Sequence, residues 1–408
     1  MRRRIALTAA AALALAACGT DTPEAPESTP AETPTAAATD DETAEPAETE
    51  TAAAPEEPAE APSPPPAGPP VTDFDATEHA TFDEPWALEF LPGTDYLAVT
   101  ERGGAIKLRN QATGDIVDVD GVPDVHHAGQ AGVHDLIVAP SFEDDGAVYL
   151  SWVQHTGQGP HGVVARGTLD VDAGALTNLA TIWEQDVTQG NGHFSLRMVI
   201  QGDHLYLTSG DRQDMDPAQD HGSNLGKILR LALDGTPAEG NPFGDEGVES
   251  SFWSIGHRNP LGIALDVDGN LWSSEMGPQG GDELNYIVAG ENYGWPEASM
   301  GIHYNDRPIT DHTDGDGFRA PAAYWVPSIS PGNLMIYRGE LFTGWYNNAI
   351  IGGLSGQNLT RLTLDGESAE VADEWNMGAR IRAVEEAPDG AIWVAEDRSG
   401  RLLELRPA

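Results

Sequence analysis

Residues 263–277 read IALDVDGNLWSSEMG: an apolar alternation, an Asp-Gly turn, and a second alternation that ends in small and polar side chains. Period-two hydrophobicity on both sides of Asp268-Gly269 specifies a β-hairpin, because successive side chains of a strand point to opposite faces. The same unit recurs outward from this one. It reads LEFLPGTDYLAVTERGG at 88–104, LIVAPSFEDDGAVYLSW at 136–152 and MVIQGDHLYLTSGDR at 198–212. It returns loosely as LMIYRGELFTGWYNNAIIGGLSG at 334–356, and as VEEAPDGAIWVAEDRSG at 384–400. Sustained helical periodicity is missing. Repeats spaced at about 40 to 80 residues, each centred on a hairpin, point to radially arranged blades. The expected fold is all-β, a six-bladed β-propeller over residues 73–408, with a β-sandwich carrying long loops as the alternative. The segment Thr72–Glu84 is expected to supply a strand that closes the ring against the last blade.

The chain has 408 residues and a formal net charge of -45. It opens MRRRIALTAAAALALAAC, three arginines followed by an apolar run shorter than the roughly 20 residues a spanning helix needs, which is the pattern of an export signal. Residues 1–18 are read as that signal, and Leu15-Ala16-Ala17-Cys18 resembles the lipobox of bacterial lipoproteins, whose cysteine is acylated. An ordinary signal peptide with an incidental cysteine is the alternative. Cys18 is the only cysteine, so no intrachain disulfide can form. Residues 19–72 are dominated by Ala, Thr, Pro and Glu, and no Lys or Arg occurs between Arg4 and Arg102. Such a segment cannot bury enough apolar surface to offset its ordering entropy and is expected to be a disordered, self-repelling tether. The acidic charge opposes binding to a nucleic acid backbone.

In a ring of blades the innermost strands carry their ends toward one face of the axis. Polar residues that follow the second alternation of each unit therefore converge there: SGDR at Ser209–Arg212, EMGP at Glu275–Pro278, and GARIR at 378–382. IGHRNPLG, at 255–262, puts Arg258 and Asn259 in a blade-connecting loop at the same mouth, with His257 assigned to packing beneath it; the local alternative is a self-satisfied Asn-Pro turn. His193 precedes a hairpin that ends at Asp211. A carboxylate on one imidazole nitrogen fixes the tautomer and raises the basicity of the other, which makes a general base, unless the histidine is only structural. Arg380 and Arg382, two apart on a strand, project together and suit a ligand with several anionic oxygens; ion pairing with Glu385 and Glu386 is the alternative. Residues 275–296 are rich in oxygen donors and in glycines that free backbone carbonyls, a composition that fits calcium better than zinc, though propeller loops are often glycine-rich without a metal.

The ordered set HFSLRMVI, LYLTSGDR, LGKILRL, GHRNPLG, GPQGGDELN, NYGWP and ARIRAVEEAPDG resembles the soluble quinoprotein glucose and aldose sugar dehydrogenases of the glucose/sorbosone dehydrogenase family, over essentially all of residues 75–408. The resemblance implies a six-bladed propeller that binds pyrroloquinoline quinone (PQQ) and Ca2+ at its axial mouth and oxidises the anomeric hydroxyl of aldose sugars to lactones. It implies His193 as the base, Asp211 as its orienting partner, and Arg258 and Asn259 on the quinone carbonyls. It places Gln130 against the cofactor, Arg380 and Arg382 on the cofactor carboxylates, and the Gly277 and Pro278 carbonyls on the catalytic calcium. Glu283 and Tyr293 resemble a second calcium site, structural in kind. Two positions depart from the glucose enzymes, which often have Gln where Leu261 stands and Lys where Ser355 stands; Ser328 sits where a hydroxyl donor is expected. The implied partners are an aldose, an external electron acceptor, and a membrane reached through a lipid anchor at Cys18, on the outer face of the cell membrane or in the periplasm. A metal-dependent propeller lactonase and a non-enzymatic binding module are the competing functions, since a propeller alone decides little.

Overall fold

The computed structural model describes residues 68–408. The expected export signal, Cys18 and the expected tether up to residue 67 lie outside the described residues. Six four-stranded antiparallel sheets follow one another around a ring, so the propeller expected from the repeats is the observed architecture. Among the described residues the only α-helix is the four-residue turn Phe142–Asp145.

The innermost strands of blades 1 to 6 are Pro85–Phe90, Val133–Val138, Ser195–Gln201, Pro260–Leu265, Pro331–Ile336 and Ile381–Glu386. In the founding hairpin, Asp266 organises the turn with its side chain. Its Oδ1 accepts from the backbone N–H of Asp268 and Asn270 at 3.0 and 2.8 Å, and its Oδ2 accepts from Trp272 Nε1 at 3.1 Å. Gly269 takes φ +84° there, a left-handed conformation that glycine adopts without steric cost.

Blades pack face to face, which explains why the second strand of a blade is almost wholly buried. In Tyr96–Glu101, Leu97 and Val99 pack with Ala383, Trp393 and Ala395 of blade 6, whereas Ala98 packs with Leu136, Val148 and Leu150 of blade 2. One strand thus serves two cores with alternate side chains.

The ring closes as expected. Phe74–Thr81 pairs antiparallel with Arg401–Pro407 as the outermost strand of blade 6. Val71 and Thr72, the last residues of the expected tether, are held on the propeller: Val71 N–H donates to Thr343 O at 2.9 Å, and the Thr72 carbonyl accepts from Trp375 Nε1 at 3.2 Å.

One irregularity repeats in all six blades. Each innermost strand slips register against its neighbour within its first few residues: at Pro85/Ala87, Val133/Asp135, Ser195/Met198, Pro260/Gly262, Pro331/Leu334 and Ile381/Ala383. Such bulges leave a residue unpaired and re-aim its side chain, and they gather at barrel rims and active sites. Here the skipped residues include Trp86, His134, Leu261 and Arg382, and all four line one cavity.

Candidate active site

That cavity, of about 330 Å³, opens where the innermost strands begin. It is lined by Trp86, Gln130, His134, Leu261, Arg380 and Arg382, with Arg102, Asp397 and Ser330 around them. Its size lies at the lower end of the ~300–1,000 Å³ range of small-ligand sites.

His193 and Asp211 meet as the sequence requires. Nδ1 of His193 donates to Asp211 Oδ1 at 2.7 Å, and Asp211 is fully buried. The carboxylate is itself fixed by Trp295 Nε1 on Oδ2 at 2.7 Å and by the Gln213 N–H on Oδ1 at 2.8 Å. With Nδ1 carrying the proton, Nε2 presents a lone pair. Burial pushes the His193 pKa below its ordinary value, Asp211 opposes this, and Arg258 and Arg212 add to the lowering. The ring is therefore neutral and ready to accept a proton at neutral pH. The segment that carries it runs through left-handed backbone at His193, Ser195 and Leu196, with φ of +50°, +63° and +65°. Strain of this kind persists only where the surroundings over-determine it. Two groups do so here. Gln130 Oε1 accepts the His193 N–H at 2.7 Å, and buried Arg212 donates to the carbonyls of Gly192 and Pro160 at 3.0 and 3.1 Å. Because Gln130 uses its oxygen on the backbone, its amide nitrogen is left for a ligand.

Arg258 is buried; its Nη1 donates to the carbonyls of Met276 and Gly277 at 2.8 and 2.7 Å. Its guanidinium lies 5.3 Å from the Trp295 ring centre and 5.8 Å from that of Tyr304. Asn259 Oδ1 accepts from Ser195 Oγ at 3.1 Å. His257 packs beneath the loop, stacked on Tyr293 and bonded through its two nitrogens to Glu275 and Ser254.

Arg380 and Arg382 converge, but on Asp397 rather than on Glu385 or Glu386: Arg380 Nε donates to Asp397 Oδ2 at 2.7 Å, and Arg382 Nη2 lies 3.5 Å from the same oxygen. Burial raises the Asp397 carboxyl, and the two arginines outweigh it and hold it below the usual range. Arg382 stacks 3.9 Å from the Trp86 ring centre, and burial lowers its pKa to about 10.

The Glucose / Sorbosone dehydrogenase family profile matches residues 82–404. The chain belongs to the glucose/sorbosone dehydrogenase family. It is similar to the aldose sugar dehydrogenase of Escherichia coli (strain K12), 34% identical over 339 residues that cover 80% of this chain and 90% of that one. It is more distantly similar to quinoprotein glucose dehydrogenase B of Acinetobacter calcoaceticus, at 25% identity over 79% of this chain and 85% of that one. Among solved structures, the apo-form of the soluble E. coli aldose sugar dehydrogenase matches 82% of this chain and 100% of its own with a TM-score of 0.79 at 32% identity. The PQQ-bound aldose sugar dehydrogenase of Streptomyces coelicolor matches 83% of this chain and 99% of its own, with a TM-score of 0.68 at 29% identity.

For a member of this family, the donor chemistry of the mouth is informative. Trp86 Nε1, Arg258 Nε, Asn259 Nδ2 and Arg382 Nε are all buried donors without a partner among the described residues. Buried polar groups are normally satisfied, and each orphan is costly, so a ligand rich in acceptor oxygens fits this set.

The calcium positions are mixed. Gly277 lies against its own loop so closely that an added Cβ would meet the Gly281 and Gly280 carbonyls at 2.2 and 2.4 Å, a crowding of oxygens suited to a hard cation. Yet the Gly277 carbonyl already accepts from Arg258. Pro278 lines a neighbouring cleft with Ser328 and Tyr304. Ser328 is not free to serve a ligand at this cavity: its hydroxyl donates to Asp282 Oδ2 at 2.6 Å, and the nearby Ser330 lines the cavity instead. Ser355 pairs with that Ser330 hydroxyl at 2.8 Å. At the position expected for a second calcium, Glu283 and Glu275 line a void of about 10 Å³, room for one water-sized occupant. Burial, then the nearby Glu275 carboxylate, pushes Glu283 well above its usual range, which a cation between the two would relieve. The Tyr293 phenol donates to the Tyr286 carbonyl at 2.6 Å, so only its backbone oxygen is free for a metal.

Trp86, His134, Trp295 and Asp397 were not singled out from the sequence, and Arg212 appeared only as the end of the SGDR motif. Trp86, His134 and Arg382 reach the cavity through bulges, which hydrophobic periodicity does not mark.

Proposed function

We propose that this chain is a quinone-dependent sugar dehydrogenase that oxidises the anomeric hydroxyl of aldoses to lactones, with PQQ and calcium at the axial mouth. The observation that carries this reading is the buried Trp295–Asp211–His193 relay beside a cavity of unpaired donors. Membership of the family and the likeness to aldose sugar dehydrogenases support it.

The quinone, when bound, supplies the two-electron acceptor that the side chains lack. Arg380 and Arg382, the latter stacked on Trp86, would hold its carboxylates, and the Gln130 amide and Asn259 Nδ2 would be left for its remaining oxygens. His193 Nε2 takes the proton of the sugar hydroxyl, and Asp211 stabilises the imidazolium that results. Arg258 is a fixed positive charge where negative charge develops, which favours the transition state over the ground state. Tyr304, 73% exposed and beside Arg258, offers a ring to the sugar's apolar face. The Gly277 and Pro278 carbonyls would hold calcium once Arg258 yields the Gly277 oxygen, and Glu283 with the Tyr293 carbonyl would hold a second ion. Leu261 and Ser355, in place of the glutamine and lysine of glucose enzymes, favour broad aldose oxidation over tight glucose selectivity.

Export and acylation at Cys18 would tether the enzyme outside the cytoplasm, where electrons pass to an external acceptor. A Cys18→Ser variant recovered in the soluble fraction supports the anchor; one that stays with membranes overturns it. The function is tested by adding PQQ and calcium to purified protein and following dye reduction across a panel of aldoses. Saturable reduction with several aldoses supports the reading, and no reduction with any sugar at full quinone occupancy overturns it.

A further inference from the structure

The bulged residue of blade 2 is His134, and it differs from every other orphan at the mouth. It is 1% exposed and lines the cavity beside Trp86 and Arg382. Its Nδ1 lies 3.0 Å from the Ser195 carbonyl. A carbonyl can only accept, so Nδ1 carries the proton, and Nε2 of the neutral ring is left with a lone pair. That Nε2 is buried and has no partner among the described residues. The partnerless buried atoms of the residues lining this cavity are therefore Trp86 Nε1 and Arg382 Nε, which donate, and His134 Nε2, which accepts. Protonation cannot convert this acceptor into a donor near neutral pH. Burial lowers the His134 pKa to about 3, the neighbouring Arg197 and Arg382 cations add to the effect, and the Ser195 and Gln130 carbonyls beside the ring oppose it only in part.

We propose that His134 Nε2 accepts a hydrogen bond from an N–H donor of the cavity's ligand and so sets which face and orientation of that ligand is bound. The inference rests on the function proposed above, and it deepens it. PQQ carries three carboxylates and two quinone oxygens that suit the arginine and indole donors, and its quinone form has a single N–H, on the pyrrole ring. A cavity with two orphan donors and one orphan acceptor among its lining residues has the complementary inventory. A flipped ligand, or an analogue without the N–H, would leave Nε2 buried and unsatisfied, which is how polar sites discriminate.

The test uses the full protein with calcium and no sugar. PQQ is titrated into wild type, His134→Leu and His134→Gln while tryptophan fluorescence is followed, and melting curves confirm that each variant is folded. Leucine keeps the volume but removes the acceptor, and an expected loss of about five- to fifty-fold in affinity follows from one unsatisfied buried donor. Glutamine can donate to the Ser195 carbonyl and accept from the ligand, and is expected to stay within about threefold of wild type. Leucine binding as tightly as wild type overturns the proposal. A second reading needs no variant: nitrogen-15 NMR of the imidazole in wild type should show an Nδ1–H tautomer, with the Nε2 resonance moving on addition of PQQ. A resting Nε2–H tautomer, or an Nε2 signal unmoved by bound PQQ, overturns it as well. Wild type that binds no PQQ at all overturns the proposed function and the pyrrole assignment, a result distinct from any difference among the variants.

Discussion

The Arg258 guanidinium donates through Nη1 to the carbonyl of Gly277 at 2.7 Å, the same oxygen that the calcium reading requires. A metal cation and a guanidinium on one carbonyl repel, so the arginine must yield that oxygen for the ion to bind. Arg258→Ala is therefore expected to bind calcium about tenfold more tightly at this position, the size of one charged hydrogen bond. The same change should lower turnover by about 10²- to 10³-fold. Calorimetry in a Glu283→Gln background isolates this site from the second one. Unchanged or weaker affinity would count against the shared carbonyl.

The His193–Asp211 pair makes a kinetic prediction with a sign. His193→Ala is expected to cut dye-linked oxidation by about 10²- to 10⁴-fold, with quinone occupancy retained. In the wild type, burial together with Arg258 and Arg212 outweighs Asp211, so the acid limb of activity lies below the ordinary histidine value. Asp211→Asn removes the opposing influence and leaves the lowering ones. Its acid limb should move further down in pH while its maximal rate falls, because the amide no longer stabilises the imidazolium. A limb that moves up in pH in this variant would contradict the assignment.

Much of this was readable from the chain because it depends on period. Alternation and Asp-Gly turns specify hairpins wherever blades repeat, and the repeat count specifies the ring. His193 and Asp211 lie at opposite ends of one hairpin, so their meeting follows from local pairing. The choice between Ser328 and Ser330 is not legible in the sequence for the opposite reason: which of the two reaches the cavity depends on the Asp282 carboxylate from the neighbouring blade. That carboxylate collects the Ser328 hydroxyl and the Ser330 N–H. His134 was invisible, since VHDLIV reads as an ordinary inner strand and only the slip between Val133 and Asp135 gives the imidazole to the cavity.

Ring closure gives a stability prediction. Phe74–Thr81 covers the Arg401–Pro407 strand, and His79 Nε2 pairs with Glu404 at 2.7 Å. A chain that begins at Phe82 leaves that strand as an open edge. It is expected to melt on the order of 10 °C lower than one beginning at residue 68, as the loss of a few kcal/mol implies. Equal melting temperatures would mean that the closing strand contributes little to the fold.

Arg380 and Arg382 share Asp397 yet differ in burial, with side-chain exposures of 25% and 7%. Salt screens exposed charges far more than buried ones, so their contributions to binding an anionic quinone should separate with ionic strength. At low salt each alanine variant is expected to bind PQQ about ten- to a hundredfold more weakly than wild type, as loss of a charge-assisted pair implies. Raising the salt to about 1 M, where the screening length falls to about 3 Å, should close most of the gap for Arg380→Ala. The gap for Arg382→Ala should persist, because that guanidinium is stacked on Trp86 and reaches the cavity from a bulge with its Nε unpaired. Arg382→Lys should recover little of the loss, since an ammonium has neither the planar fork nor the stacking face. Fluorescence titrations at two salt concentrations read both variants; identical salt dependence for the two would show that burial does not divide their roles.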